Sequence, residues 1–203
     1  MTQPPKFDII FIMNIFILSK NIDRCAEYHL DKHIVKMPLE SAQMLCTTHW
    51  IQKYLGYVPR KINAEERAIL KEAKKTEPRP FPYLPAMENH PCTIWVRESL
   101  DNYEWLFCLA LALNDEYGYR YGKSHKSVDQ VILKLPDIDL PRKGLTPFAQ
   151  AMPDEYKNED AIRAYRTYYY NDKDHIWSWK HREVPYWIDY FPCWIAKLDE
   201  KNG

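Results

Sequence analysis

The apolar positions of the chain change rhythm along its length, and each change predicts an element. Residues 9–18 are almost continuously apolar, interrupted at Asn14. A run that short predicts a buried strand over 14–18, and it falls well below the roughly 20 residues of a membrane span. From Asn21 to about Trp50 the apolar positions recur with helical period, with Ser19 and Asn21 as N-cap candidates. Pro38 lies inside that run and predicts a kink or a break between two helices near Lys36. "NAEERAILKEAKK" (63–75) reads as a short charged helix and "TEPRPFPYLPAMENHP" (76–91) as a proline-rich connection. Thr93 to about Tyr117 carries the strongest helical pattern, with Leu100, Tyr103, Leu106, Ala110 and Leu113 on its apolar face and Gly118 and Gly122 as stop signals. "VDQVILKL" (128–135) fits a short helix or a strand, 136–160 is loop-dominated, and "EDAIRAYRTYYYNDK" (159–173) is a further helix. Together these predict a mainly α fold: a single compact helical domain with a short N-terminal strand and Pro-rich loops. Met13 opens "MNIFILSK", so residues 1–12 read as an N-terminal extension and 13–200 as the domain.

Composition narrows the picture. A chain of 203 residues, 46 % apolar and 14 % aromatic, can fill a core and is not disordered over most of its length. Only 5 Gly against 15 Pro argues against a Gly-rich nucleotide-binding fold. The five cysteines include no CxxC pair and read as reduced thiols in a cytoplasmic, reducing compartment. The start has neither a basic n-region nor a small-residue cleavage site, so it does not read as a signal peptide, and no membrane association is implied. Net charge is zero, so any contact with nucleic acid must come from a local basic patch rather than a global field.

The candidate chemistry lies in "HLDKHIVKMPLESAQMLCT" (29–47). At about 100° per residue, His29, Lys32, His33, Lys36, Glu40, Gln43 and Thr47 fall in one sector about 100° wide. Most of the remaining arc is apolar or small. A helix so enclosed turns its polar stripe toward a cleft, unless Lys36 and Glu40 are an ordinary exposed i,i+4 pair. Two chemistries fit the stripe. In one, Glu40 is a general acid/base beside Lys36, with His29 and His33 at the catalytic wall and Lys32 and Gln43 contacting substrate. In the other, His29, His33 and Glu40 bind a metal, with His49 or His90 as a distant further ligand.

Three other stretches invite a reading. "NHPCTIWVRES" places His90 before a helix start that would favour a phosphate, and Arg97 nearby is either a substrate contact or a buried ion-pair partner. "YRYGKSHKS" (119–127) carries Arg120, Lys123, His125 and Lys126 with no acid, as a phosphate-contact loop would, although cations also suit any helix C-terminus. "WSWKHREVPYW" (177–187) interleaves aromatic and basic residues and reads as closure of the core, with a base-stacking surface as the alternative.

"MNIFILSKNIDRCAEYHLDKHIVKMPLESAQML" (13–45), the "NHPCTIWVRESLDNYEWL" helix and the aromatic-basic tail resemble, in order and layout, the phage pyrimidine-dimer DNA glycosylase family of the endonuclease V type. "DKHIVKM", "HPCTIW" and "TPFAQAMPDEYK" are also similar to a broad group of phage and large-virus proteins. The glycosylase resemblance implies DNA as partner, no cofactor, no obligate protein partner, and base excision. An amine attacks the sugar C1′, a carboxylate assists, and β-elimination nicks the strand. The carboxylate falls on Glu40. The family's amine is the α-amine of the mature N-terminus, which here would be Asn14 after loss of Met13, while Lys36 or Lys32 offers a substitute on the stripe. The expected function is therefore a DNA glycosylase and abasic lyase. The alternatives are a metal-dependent enzyme on a nucleotide or modified base, and a non-catalytic nucleic-acid-binding module.

Overall fold

Helix formation begins at Asn21 in the computed structural model of the chain, which describes residues 13–190. The Asn21 side chain accepts a hydrogen bond from the Arg24 N–H and caps α1 (Ile22–Tyr28). His29 and Leu30 then turn out of helical geometry, and α2 (Asp31–Leu55) runs unbroken to a left-handed Gly56, φ 75°. The break expected near Lys36 therefore falls at His29, and Pro38 sits inside α2. Proline there forgoes the bond to the Ile34 carbonyl and crowds it. One residue on, the Val35 carbonyl meets the His125 ring nitrogen Nε2 at 3.1 Å.

Asn63 and Glu66 form a reciprocal capping box at the start of α3 (Ala64–Ala73). The long helix expected from Thr93 is divided into α4 (Pro91–Val96) and α5 (Leu100–Tyr121). The division is at Ser99, whose hydroxyl accepts from the Asn102 N–H and restarts the helix, while the Arg97 side chain turns away to three main-chain carbonyls. Gly122, φ 70°, closes α5 in a backbone conformation that L side chains rarely adopt. Of the ambiguous "VDQVILKL", Val128 and Asp129 belong to α6 (Lys126–Asp129), and a 3₁₀ turn at Ile132–Lys134 follows. A second 3₁₀ turn, Asp154–Tyr156, interrupts the expected loop before α7 (Ala161–Asp172), which Asp160 caps.

The two long helices α2 and α5 pack together, with α1 against α5 and α3, α4 and α6 against α2. The main apolar core runs from Met13 to Ile188, and Trp50, Leu45, Met44, Leu106, Leu113, Tyr165 and Tyr169 are buried in it. Residues 13–18 cross this core. Asn14, Ile15, Phe16, Ile17 and Leu18 are all buried, as a strand's residues would be, but no strand is present among the described residues. Main-chain polar groups of this segment are satisfied by side chains instead, including those of Glu40, Asn14 and Cys25. Phe16 takes φ 36°, a strained value for a residue with a side chain. No helix among the described residues is long and apolar enough to cross a membrane. The expected N-terminal extension (1–12) and residues 191–200 of the expected domain lie outside the described residues.

Candidate active site

Glu40 lies two turns into α2, and only 5 % of its surface is exposed. Its Oε1 accepts from Lys36 Nζ at 2.8 Å, and its Oε2 accepts from the Asn14 main-chain N–H at 3.0 Å. The i,i+4 spacing delivers Lys36, and the buried N-terminal segment delivers Asn14. Burial pushes the Glu40 carboxyl above its ordinary pKa, and the bonds from Lys36 and Asn14 oppose that shift. The Lys36 side chain is 38 % exposed. An amine at the surface is thus joined to a carboxylate behind it.

Asn14 is held in turn. Its Nδ2 donates to the Ala151 carbonyl at 2.8 Å, and its Oδ1 accepts from the Ile15 and Phe16 N–H groups. The sequence pointed to Asn14 only for the α-amine it would carry after loss of Met13, and the part its side chain plays in the site was missed. Its signal was present as the one polar side chain interrupting an apolar run.

Next to this pair His33 is buried, its ring stacked on Phe16 at 4.3 Å between centroids and its Nδ1 hydrogen-bonded to the Tyr169 hydroxyl. Burial first, then the charges of His29, Lys173 and Lys36, hold His33 well below the ordinary histidine pKa, so it is neutral. Lys173 reaches over the Tyr168 ring at 4.4 Å and was not singled out by the sequence. His29 is not on the same helix as Glu40. It follows the end of α1, donates from Nδ1 to the Cys25 carbonyl at 2.7 Å, and leaves Nε2 without a hydrogen-bond partner among the described residues. Burial lowers its pKa to about 4.

The break at His29 explains why the expected stripe is only partly real. His33, Lys36, Glu40 and Gln43 do share α2, but His29 is fixed by other bonds in the interior. The alternative metal set of His29, His33 and Glu40 is corrected accordingly. No group of three or more His, Cys, Asp or Glu among the described residues is arranged to hold a metal ion. His49, the distant ligand candidate, is paired with the Tyr103 hydroxyl at 2.8 Å.

Several expected ligand contacts prove structural. Arg97 is buried and donates to the carbonyls of Pro59, Glu88 and Arg60. His90 caps α4 by accepting from the Cys92 N–H. Arg120 is 1 % exposed and donates to the His29 and Glu27 carbonyls and to Asp31 and Glu116. It clamps the α1–α2 junction to α5 and cannot reach a phosphate. His125 caps α6 while its other nitrogen meets Val35.

Lys32, Lys123 and Lys126 are exposed, and Gln43 is half-buried. The contact between His125 and Val35 lays the "GKSHK" loop beside the residue preceding Lys36. Lys180 joins from the C-terminal segment, its N–H donating to Asp31 and its Nζ 5.2 Å from the centre of the Tyr121 ring. Cations from α2, the α5–α6 loop and the C-terminal segment thus gather about the first half of α2, although the chain as a whole is neutral. Comparison with protein-family models, with curated proteins and with solved structures returns no match for this chain.

Proposed function

We propose that the chain excises a base from DNA and cleaves the strand at the abasic site, with Lys36 as nucleophile and Glu40 as its proton acceptor and donor. The observation that carries this reading is the 2.8 Å contact of Lys36 Nζ with Glu40 Oε1, an exposed amine against a buried carboxylate. Lys36 Nζ gives up a proton to Glu40 and bonds to the sugar C1′. The N-glycosidic bond breaks, and its electron pair leaves with the base, which takes up a proton. Ring opening gives an iminium at C1′ that acidifies the C2′ proton. Loss of that proton expels the 3′-phosphate, and water then hydrolyses the imine to release Lys36. Lys32 and Gln43 flank the reacting groups on α2, and Lys123 and Lys126 neutralise strand phosphates. This chemistry uses no cofactor.

The family that residues 13–45 resemble uses an N-terminal α-amine instead. The Asn14 nitrogen lies 3.0 Å from Glu40 Oε2, so the same carboxylate would serve an amine at that position. Borohydride trapping on DNA containing an abasic site tests the reading. A covalent adduct is expected, mapping to the Lys36 peptide and lost in Lys36→Ala. An adduct at Asn14 reassigns the nucleophile and keeps the lyase chemistry. No adduct with abasic DNA overturns it.

A further inference from the structure

A second site lies away from Glu40, in the part of the aromatic-basic tail that does not close the core. Trp179 and Trp187 of "WSWKHREVPYW" are buried, as core closure requires. His181, Val184 and Tyr186 are not; Tyr186 is 58 % exposed and Val184 46 %. A cavity of about 380 Å³ opens there between the end of α1 and residues 181–186, lined by the basic Arg24 and Arg182, the acidic Glu27 and Glu183, and the rings of Tyr28 and Tyr186, among others. That volume is at the lower end for ligand sites, enough for one base with its sugar.

Three features make this a built recess rather than a gap. The rings of Tyr28 and Tyr186 meet edge to face at 6.3 Å, and the Arg166 guanidinium packs within 6 Å of both and 5.3 Å from the Trp187 ring. Arg166 is itself anchored by Nε to the Leu18 carbonyl at 3.0 Å, so the aromatic wall is fixed. His181 is held at φ 60°, a strained conformation, with its carbonyl accepting from the Tyr119 hydroxyl. The charges are also divided. Arg182 is taken up by Glu116 at 2.7 Å and Glu27 at 3.8 Å, Glu183 lines the same recess, and Arg24 is exposed and makes no ion pair among the described residues. One wall thus offers aromatic surface for a planar ring, and the rim offers a cation for an anion beside it.

We infer that this recess binds a nucleotide unit, a planar base stacked on Tyr186 and edge-on to Tyr28, with its phosphate against Arg24. The inference does not depend on the lyase chemistry. The occupant is either the exposed base of a single strand or a free mononucleotide, which present the same base and phosphate.

Ultraviolet crosslinking with an iodouracil-substituted single-stranded oligonucleotide tests this, with the adduct at the Tyr28 peptide as the reading and oligonucleotide affinity measured in parallel. The full chain should yield that adduct. Tyr186→Ala and Arg24→Glu should each lower its yield and the affinity by about tenfold, while Tyr186→Phe, which keeps the ring, stays near the parent. Both side chains are exposed, so unchanged thermal melting is expected and shows that any loss is local. Excess thymidine monophosphate that erases the adduct assigns the recess to a free nucleotide; persistence of the adduct assigns it to the strand. No Tyr28 adduct, or one equally strong in Tyr186→Ala and Arg24→Glu, overturns the inference.

Discussion

Glu40 is the residue whose surroundings define its chemistry most closely, being buried, held by Asn14, and facing the Lys36 ammonium. Glu40→Gln keeps the shape and removes proton transfer. Turnover on abasic DNA is expected to fall about a hundredfold with DNA affinity little changed, as single-turnover kinetics and binding isotherms would show. Histidines set the pH response of stability. His29 and His49 are each held down to about 4 by burial, so between pH 6.5 and 4 the unfolded chain takes up protons that the folded chain refuses. Their stabilising effect is full above pH 6.5 and is lost as pH falls, at a cost on the order of 3 kcal/mol each by pH 4. Asp31 and Glu116, whose hydrogen bonds and Arg partners depress their pKa, add to the loss in acid, while Glu40 opposes it. The urea midpoint should therefore fall between pH 7 and pH 5, and a flat profile would contradict the burial of these rings. At this scale the sequence was readable where spacing decides, as in the Lys36–Glu40 pair. It misled where burial decides, because Arg97 and Arg120 are cations like any other until their carbonyl partners are known.

The α1–α2 junction shows what element-level reasoning gains and misses. Helical period runs through residues 22–55 almost without interruption, and Pro38 is the visible place to break it. The chain breaks at His29 instead, where the fold supplies main-chain partners: Arg120 takes the His29 and Glu27 carbonyls, and the Asp31 N–H reaches the Ser178 carbonyl. Those partners are about 90 and 150 positions away, beyond the reach of a local pattern. Arg120→Ala is accordingly expected to destabilise the protein by about 3–5 kcal/mol, since it strips the His29 and Glu27 carbonyls of their donor and leaves the buried Glu116 with Arg182 as its one cation among the described residues. Chemical denaturation measures this. A loss of DNA affinity without loss of stability would restore the phosphate role that the sequence suggested. The helices over 64–73 and 161–172 were legible because their caps are local: Asn63 with Glu66, and Asp160.

On the scale of the whole molecule, a neutral chain gathers its cations unevenly, and the first half of α2 is where they converge. Reversing Lys123 and Lys126 to Glu together should weaken DNA binding strongly at low salt and lower the slope of log affinity against log salt by about 1 for each lysine removed. Titration of binding with salt checks both. The mainly α class was legible because long periodic segments dominate the chain. The crossing of the core by residues 13–18 was not, because an extended segment satisfied by side chains has the same apolar signature as a paired strand. That crossing links α2 to the loop before α7, since Asn14 is bonded to Glu40 on one side and to Ala151 on the other. One backbone amide therefore acts as a native reporter. Its proton exchanges with solvent only when the contact to Glu40 opens, so the exchange rate at Asn14 tracks the state of the carboxylate without any label. Anything that draws Glu40 away, whether a reacting sugar or the loss of the charge in Glu40→Gln, should quicken that single exchange rate before the rest of the core responds.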